Sequence, residues 1–490
     1  LTLVRRLRPI SGSPKARIVL RPRFDWNGVE PQITHGSNHI RYVGSGYTLR
    51  LTTSAPVDYV RQGTSFLLDK PVNLILGPDE TLDAGVDAKA FEFERETADY
   101  WRVWSRRLAL PLEWQDAVIR SAITLKLCVF EETGAIIAAL TSSLPEAADS
   151  GRNWDYRYCW LRDAFFVVRA LNSLSEVSTM ESYVGWLNNV ISTAKNGHLQ
   201  PVYGIGLESE LTEHVVDTLP GYRGMGPVRR GNQAYEHYQN DVYGNAILGA
   251  TQAFLDARLF HKAGIDDFHR LERLGERAFE LYDVPDAGMW ELRTRAQVHT
   301  SSSLMCWAAC DRLAKIARSL GNTSRARFWA ERADTIRQRI LEETWNKERG
   351  AFVDSFGGSN LDASVLLMAE VGFLPLDDSR FVSTVEALER TLADGPHMRR
   401  YEAPDDFGQP ETAFNICTFW RIDALARMGR KEEAREIFEA ILACRNHVGL
   451  LSEDIHVETG ELWGNVPQTY SMVGIINGAV RLSAPWESAI

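Results

Sequence analysis

The sequence predicts a mainly α protein with an N-terminal β domain: a partial antiparallel β-sandwich over 1–88, a linker helix over 89–110, and an (α/α)6 barrel of six helical hairpins over 111–490. Three observations lead there. Up to residue 88, short alternating apolar runs are punctuated by Gly, Pro, Asn and Asp. After Pro111 the apolar period becomes helical and stays so. A length of 490 residues also exceeds what one hydrophobic core usually fills, so more than one domain is expected.

The first alternating run, Leu1-Thr2-Leu3-Val4-Arg5-Arg6-Leu7, starts without a methionine and reads as a strand entered partway through a domain, so an earlier part of the sandwich is expected to be missing. Further strands are expected at Ala16–Pro22, Tyr47–Thr52 and Val72–Leu76. Phe91 to Trp104 is charged and amphipathic, which fits a helix joining two domains. Helices are then expected near 112–130, 160–174, 178–195, 241–260, 268–282, 302–318, 323–342, 361–370, 380–392, 412–428, 431–444 and 466–483. Short connections such as Gly321-Asn322 and Gly429-Arg430 alternate with long ones rich in Trp, Tyr, Arg, Asp and Gly. Twelve helices with that rhythm suit an inner ring packed on an outer one, with the long loops gathered at one end to build a pocket.

With 44% hydrophobic and 24% charged residues, the composition is that of an ordinary globular protein. The net charge of -11 argues against nucleic acid or an anionic membrane as partner, since both reward clustered Lys and Arg. No apolar run reaches the roughly 18 residues of a membrane span, and no secretory leader precedes the first domain, so a cytoplasmic setting is expected. The 14 Trp, 15 Tyr and 20 Phe offer more flat apolar surface than core packing needs, and sugar rings stack on such surfaces. Cys128, Cys159, Cys306, Cys310, Cys417 and Cys444 lack the paired spacing of a zinc site and read as buried free thiols, which suit a reducing compartment. His237 and Asp241 are weak metal candidates, since one His among scattered carboxylates is usually hydrogen-bonded structure. No metal and no cofactor are expected.

Chemistry concentrates in Arg152-Asn153-Trp154-Asp155-Tyr156-Arg157-Tyr158-Cys159-Trp160-Leu161-Arg162-Asp163-Ala164, where four aromatic groups, three guanidiniums and two carboxylates could read a hexose by its ring faces and hydroxyl fringe. Two acidic signatures accompany it, Gly288-Met289-Trp290-Glu291 and Gly449-Leu450-Leu451-Ser452-Glu453-Asp454. Glycoside hydrolysis needs one protonated and one ionised carboxyl facing each other across the scissile bond. Alone, Glu291 reads as a loop carboxylate and Glu453 as a helix cap or solvated turn. Glu208, Glu210 and Glu213, after Tyr203-Gly204-Ile205-Gly206, read equally as substrate contacts or as a solvated loop.

The run Asn153 to Ala164 resembles the signature of glycoside hydrolase family 15, the glucoamylase-like enzymes. The likeness continues through Leu219-Pro220-Gly221-Tyr222-Arg223-Gly224, Pro227-Val228-Arg229, Gly231-Asn232, Asp241-Val242-Tyr243-Gly244, Trp290-Glu291-Leu292-Arg293, Arg400-Tyr401 and Gly464-Asn465-Val466-Pro467-Gln468. The resemblance implies a catalytic barrel with Glu291 as general acid and Glu453 as general base. It implies Arg162 and Asp163 gripping the terminal glucose, Tyr156 and Trp160 on the same wall, and Trp290, Arg400 and Tyr401 as further sugar contacts. An inverting route follows, which asks for carboxyls about 6.5–9.5 Å apart with a water between them.

The main expectation is an exo-acting inverting α-glucosidase that removes the non-reducing terminal glucose of a short α-1,4- or α-1,6-glucoside; the alternative is a trehalase of the same family. A phosphorylase and a non-catalytic sugar-binding protein are the rivals from other classes. The expected partner is a small oligosaccharide or disaccharide, with assembly into a homo-oligomer left open. Two departures from the family pattern stand out: Met472, where many relatives carry histidine, and Gly226, where a basic residue is common. Both are expected near outer-subsite or effector contacts.

Overall fold

The structure, a computed structural model, describes residues 2–489, except for the side chain of Lys195. They divide into two compact units: one runs to Arg107 and includes Val216–Leu219, and the other holds Leu108–Val215 and the chain from Pro220 on.

The first unit contains β1 (Leu3–Leu7), β2 (Lys15–Ala16), β3 (Gln32–His35), β4 (His39–Val43), β5 (Thr48–Thr53), α1 (Val57–Gln62), β6 (Phe66–Leu67), β7 (Val72–Pro78) and α2 (Val86–Ser105). β1, β7, β5, β4 and β3 form one antiparallel sheet in that order, and β2 pairs with β6. The register sets Leu51 between Ile40 and Leu76, so one face of the pleat gathers Ile40, Tyr42, Leu51 and Leu74. Val57 and Val60 of α1 and Ala16 and Phe66 of the short pair join them in one core. Helix α2 packs against β1 and β7 with Ala90 fully buried. It lies earlier than the expected 89–110, opening after Gly85 and ending at Ser105.

All twelve helical segments expected of the barrel are helical: α3 (Gln115–Leu127), α4 (Leu161–Ser173), α5 (Ser178–Thr193), α6 (Val242–Leu255), α7 (Ile265–Leu281), α8 (Thr300–Ser319), α9 (Thr323–Thr344), α10 (Leu367–Val371, continuing a 3-10 turn at Ala363–Leu366), α11 (Ser379–Leu392), α12 (Asn415–Arg427), α13 (Lys431–Ala443) and α14 (Thr469–Leu482). Helix α6 stops five residues short of the expected end, where Asp256 turns back to accept from the Arg258 amide and guanidinium.

Packing closes a ring in the order α4, α6, α8, α10 with its 3-10 turn, α12, α14 and back to α4. The remaining six helices lie outside it. This sorting follows from sequence. α6 reads Val-Tyr-Gly-Asn-Ala-Ile-Leu-Gly-Ala and is buried all round, as an inner helix must be. α13 buries only Ala434, Ile437, Phe438, Ile441 and Leu442, the single stripe of an outer helix. No helix among the described residues is long and apolar enough to cross a membrane.

The outer helix α9 is pinned by Trp329, which is fully buried and whose Nε1 donates to Glu272 Oε1 on α7 at 2.7 Å. Trp329→Ala leaves a large cavity and takes a partner from a buried carboxylate. It is expected to cost about 3–5 kcal/mol, read as a lowered urea midpoint at unchanged m-value.

Candidate active site

The long loops of the barrel surround one cavity, and its wall carries Tyr156, Trp160, Arg162, Asp163, Trp290, Glu291, Arg400, Tyr401 and Glu453. Short ladders fix these loops. Strand 159–160 pairs with 202–203, and strand 454–455 lies between 413–414 and 462–463. Trp160 therefore enters α4 directly from a strand, with Arg162 and Asp163 in the first helical turn.

Two aromatic side chains hold the two glutamates. Trp160 Nε1 donates to Glu291 Oε1 at 2.6 Å, and the Tyr156 hydroxyl donates to Glu453 Oε1 at 2.7 Å. The two rings meet edge to face at 5.4 Å. Arg162 bonds Asp163 at 3.0 Å and the Met289 carbonyl at 2.8 Å, and stands 3.9 Å from Glu291 Oε1. Burial raises the Asp163 carboxyl above its usual range, against the pull of Arg162.

Glu291 sits in a tight turn at φ +60, a left-handed conformation unusual for a side chain of its size. The turn is tied from several sides. Asp286 accepts from the Gly288 amide at 3.2 Å, Trp290 Nε1 donates to Asp362 Oδ2 at 2.7 Å, and the Arg293 amide donates to Asp406 at 2.6 Å. Asp286 and Asp362 lie outside the bulk solvent, and burial pushes their carboxyls to about 7 and about 6. Trp290 packs on Tyr401, Phe414 and Trp420. The indole of Trp290 is bonded to Asp362 and the Tyr401 hydroxyl to Asp405, and both residues line the cavity.

Glu453 is 2% exposed and its Oε2 has no protein partner. Oxygens of Glu146, Glu453 and Asp454 all lie within 4.8 Å of one another. Among the described residues this is the cluster dense enough to suggest a metal, but a cation already serves it: Arg400 Nη2 bonds Glu146 at 2.8 Å and Asp454 at 3.2 Å. Burial, then Glu146 and Asp454, push Glu453 well above the ordinary carboxylate range, with Arg400 opposing. Asp454 is raised to about 7, again chiefly by burial.

Around these residues, Trp154, Arg152, Arg229 and Arg293 of the sequence motifs meet Phe407, Asp405, Asp406 and Glu146, which sequence reasoning did not single out. Trp154 meets Phe407 edge to face at 5.3 Å and lies under the guanidiniums of Arg229 and Arg293, at 4.9 and 4.6 Å. Arg152 forms a buried fork with Asp405. Glu146 gave no signal because its partner Arg400 is far away in the chain. Asp405 and Asp406 could have been sought in the loop after Arg400-Tyr401, although spacing alone says nothing of where that loop lies.

Other expectations change. Glu213 stands behind the wall, binding Arg229 and Arg293, while Glu208 and Glu210 do not line the cavity. His237 does line it, with Nδ1 unpartnered, whereas Asp241 bonds Asn245; the two do not belong to a metal-like cluster. Met472 does not line the cavity: it is fully buried, and its Sδ accepts from the Leu451 amide at 3.4 Å, supporting the segment that carries Glu453. Gly226 is also off the cavity wall.

The sequence model of the glycosyl hydrolases family 15 matches residues 114–480. The chain is similar to a trehalase of Thermoplasma volcanium, 34% identical over 397 residues, which covers 81% of this chain and 63% of that protein. It thus spans somewhat less than two thirds of that relative's length. A trehalase of Mycobacterium tuberculosis is 32% identical over 510 residues, covering 99% of this chain and 74% of the relative. The fold is shared with a bacterial glucoamylase solved in complex with acarbose, at TM-score 0.66 and 15% identity, covering 91% of this chain and 74% of that one.

Gly464 packs against Glu453. Its φ is +75, and a Cβ there would stand 2.7 Å from Glu453 Cβ and 3.0 Å from Glu453 Oε2. Gly464→Ala is expected to lose about 1–2 kcal/mol from the left-handed backbone alone, with further loss from displacing Glu453. Equilibrium denaturation of the variant measures it, and an unchanged stability would contradict this geometry.

Proposed function

The chain belongs to the glycosyl hydrolases of family 15, and on that premise we propose that it is an α,α-trehalase acting with inversion. The observation that carries the choice of substrate is that relatives sharing a third of its residues are trehalases, while its likeness to a glucoamylase is one of fold. This favours the alternative over the main expectation of an α-1,4- or α-1,6-oligosaccharide.

Two carboxylates on one cavity, each held through one oxygen by an aromatic donor, support the reaction class. One glucose of trehalose lies against Tyr156 and Trp160, with Arg162 and Asp163 on its hydroxyls. Glu291 delivers a proton to the glycosidic oxygen as the C1–O bond breaks and positive charge develops on the ring. Glu453, through Oε2, takes a proton from the water that attacks the opposite face. Unpartnered buried atoms on the wall, His237 Nδ1, Arg400 Nε and the Tyr470 hydroxyl, are suited to sugar hydroxyls.

The charge balance of the wall supports a neutral disaccharide and disfavours phosphorolysis. Four arginines line the cavity against six carboxylates. Each of the four is already bonded to a carboxylate: Arg152 to Asp405, Arg162 to Asp163, Arg293 to Glu213 and Arg400 to Glu146 and Asp454. A phosphate or sugar phosphate would meet net repulsion. The six unpaired thiols, five of them buried, support a reducing setting such as the cytoplasm.

Because Glu453 must be ionised to act, and its environment raises its proton affinity, kcat/KM should fall below a pH above the ordinary carboxylate value of about 4.3. Glu291→Gln and Glu453→Gln should each lower kcat by about 10²–10⁴ while the proteins stay folded. Inversion of trehalose gives equal β-glucose, from the attacked ring, and α-glucose, from the leaving ring. NMR of the first product should therefore show both. Purely α-glucose would mean retention, and preference for maltose, isomaltose or panose over trehalose, or phosphate-dependent release of glucose 1-phosphate, would sink the proposal.

A further inference from the structure

Glu146 follows the strand 142–145 and is 3% exposed, with every polar atom engaged. Its amide donates to the Arg152 carbonyl at 3.1 Å and its carbonyl accepts from Thr412 Oγ1 at 3.1 Å. Its Oε1 accepts from Trp154 Nε1 at 2.8 Å and its Oε2 from Arg400 Nη2 at 2.8 Å. Nothing in the expected reaction requires a carboxylate here, yet one is held in a single orientation beside Glu453.

The groups facing Glu453 can be named element by element. Tyr156 comes from the loop before α4 and bonds Oε1. Asp454 follows it on its own strand, Glu146 approaches from the 142–146 segment, Arg400 from the loop before α12, and Glu291 stands elsewhere on the same cavity wall. The nearby cation is Arg400, and its hydrogen bonds go to Glu146 and Asp454. Glu453 thus sits beside two carboxylates that have taken up the guanidinium it would otherwise share. An ionised carboxylate in that position meets net repulsion and holds a proton more firmly.

We propose that Glu146 is a positioning residue for Glu453: with Asp454 it draws Arg400 away from the base, and its own negative charge strengthens the Glu453 carboxylate as acceptor of the water proton. This rests on the reading of Glu453 as general base. The device has a trade-off, since a stronger base is ionised only at higher pH. Burial and then the neighbouring Glu146 charge hold the Glu453 carboxyl above the ordinary range, in the same direction.

The test is the pH dependence of kcat/KM on trehalose for Glu146→Gln and Glu146→Asp. Gln removes the charge and keeps the shape, so the acid limb should move to lower pH by about one unit, with plateau kcat lowered about tenfold. Asp keeps the charge, so its limb should stay near that of the parent even where kcat falls. A purely structural role would lower kcat in both variants and leave both limbs in place. An unmoved limb in the Gln variant, or equal displacement in both, would overturn the proposal. Should Glu146→Gln fail to fold, Asp454→Asn removes the other charge bonded to Arg400, and its acid limb must also move down; if it does not, the proposal falls. Glu453→Gln separates the two levels of inference: an active variant refutes the base assignment itself, whereas an inactive one alongside an unmoved Glu146→Gln limb refutes only the role given to Glu146.

Discussion

The site depends on closure of the inner ring, where α14 meets α4. A seam of hydrogen bonds joins the barrel's last loop to its first. The Thr469 amide donates to the Ala138 carbonyl at 2.8 Å and the Gly464 amide to the Pro145 carbonyl at 2.7 Å. Asn465 bridges the same seam, donating to the Trp154 carbonyl at 2.8 Å while its Oδ1 accepts from Thr141 at 2.9 Å. Glu453 and Tyr156 lie on either side of it. Without closure, the carboxylate and the hydroxyl that fixes it would belong to opposite ends of an open array of hairpins.

That seam also explains why so much charge can be buried at one place. Removing three carboxylates from water is costly unless donors or cations replace the solvent. The donors here come from distant segments: Trp154 and Tyr156 before α4, Arg400 before α12, Thr412 beside it. Because they converge only in the closed barrel, the electrostatics of the site and the integrity of the ring are coupled. The turn carrying Glu291 follows the same logic on a smaller scale, its left-handed backbone held by Asp286, Asp362, Arg162 and Asp406.

Much of this was legible in the sequence because helical period is a local property. The twelve segments could be found one by one, and the mostly apolar α6 and single-striped α13 already differ in print. The cavity residues recognised beforehand belong to dense aromatic and charged motifs. Glu146 did not, since Ser143-Leu144-Pro145-Glu146 looks like any strand end until Arg400 and Glu453 are brought to it. Met472 makes the same point: a change from the family pattern marks a position, but only packing shows that this one is buried off the cavity wall and supports Leu451.

Glu453 is the more deeply buried of the two carboxyls and the one crowded by acids, an environment that by itself holds a proton and suits an acid. Geometry favours the opposite assignment. The side chain of Glu291 is 23% exposed and shares its turn with Arg293 on the same cavity wall, the more open place for a leaving group in the proposed reaction. Glu453 presents one unpartnered oxygen within the buried wall, with Tyr156 occupying the other. A base needs one free lone pair aimed at a water held away from bulk solvent, while an acid needs access to the leaving oxygen. In the proposed reaction the raised proton affinity of Glu453 would favour taking a proton from a poor acid such as water, and the repulsion within the carboxylate cluster would serve that step.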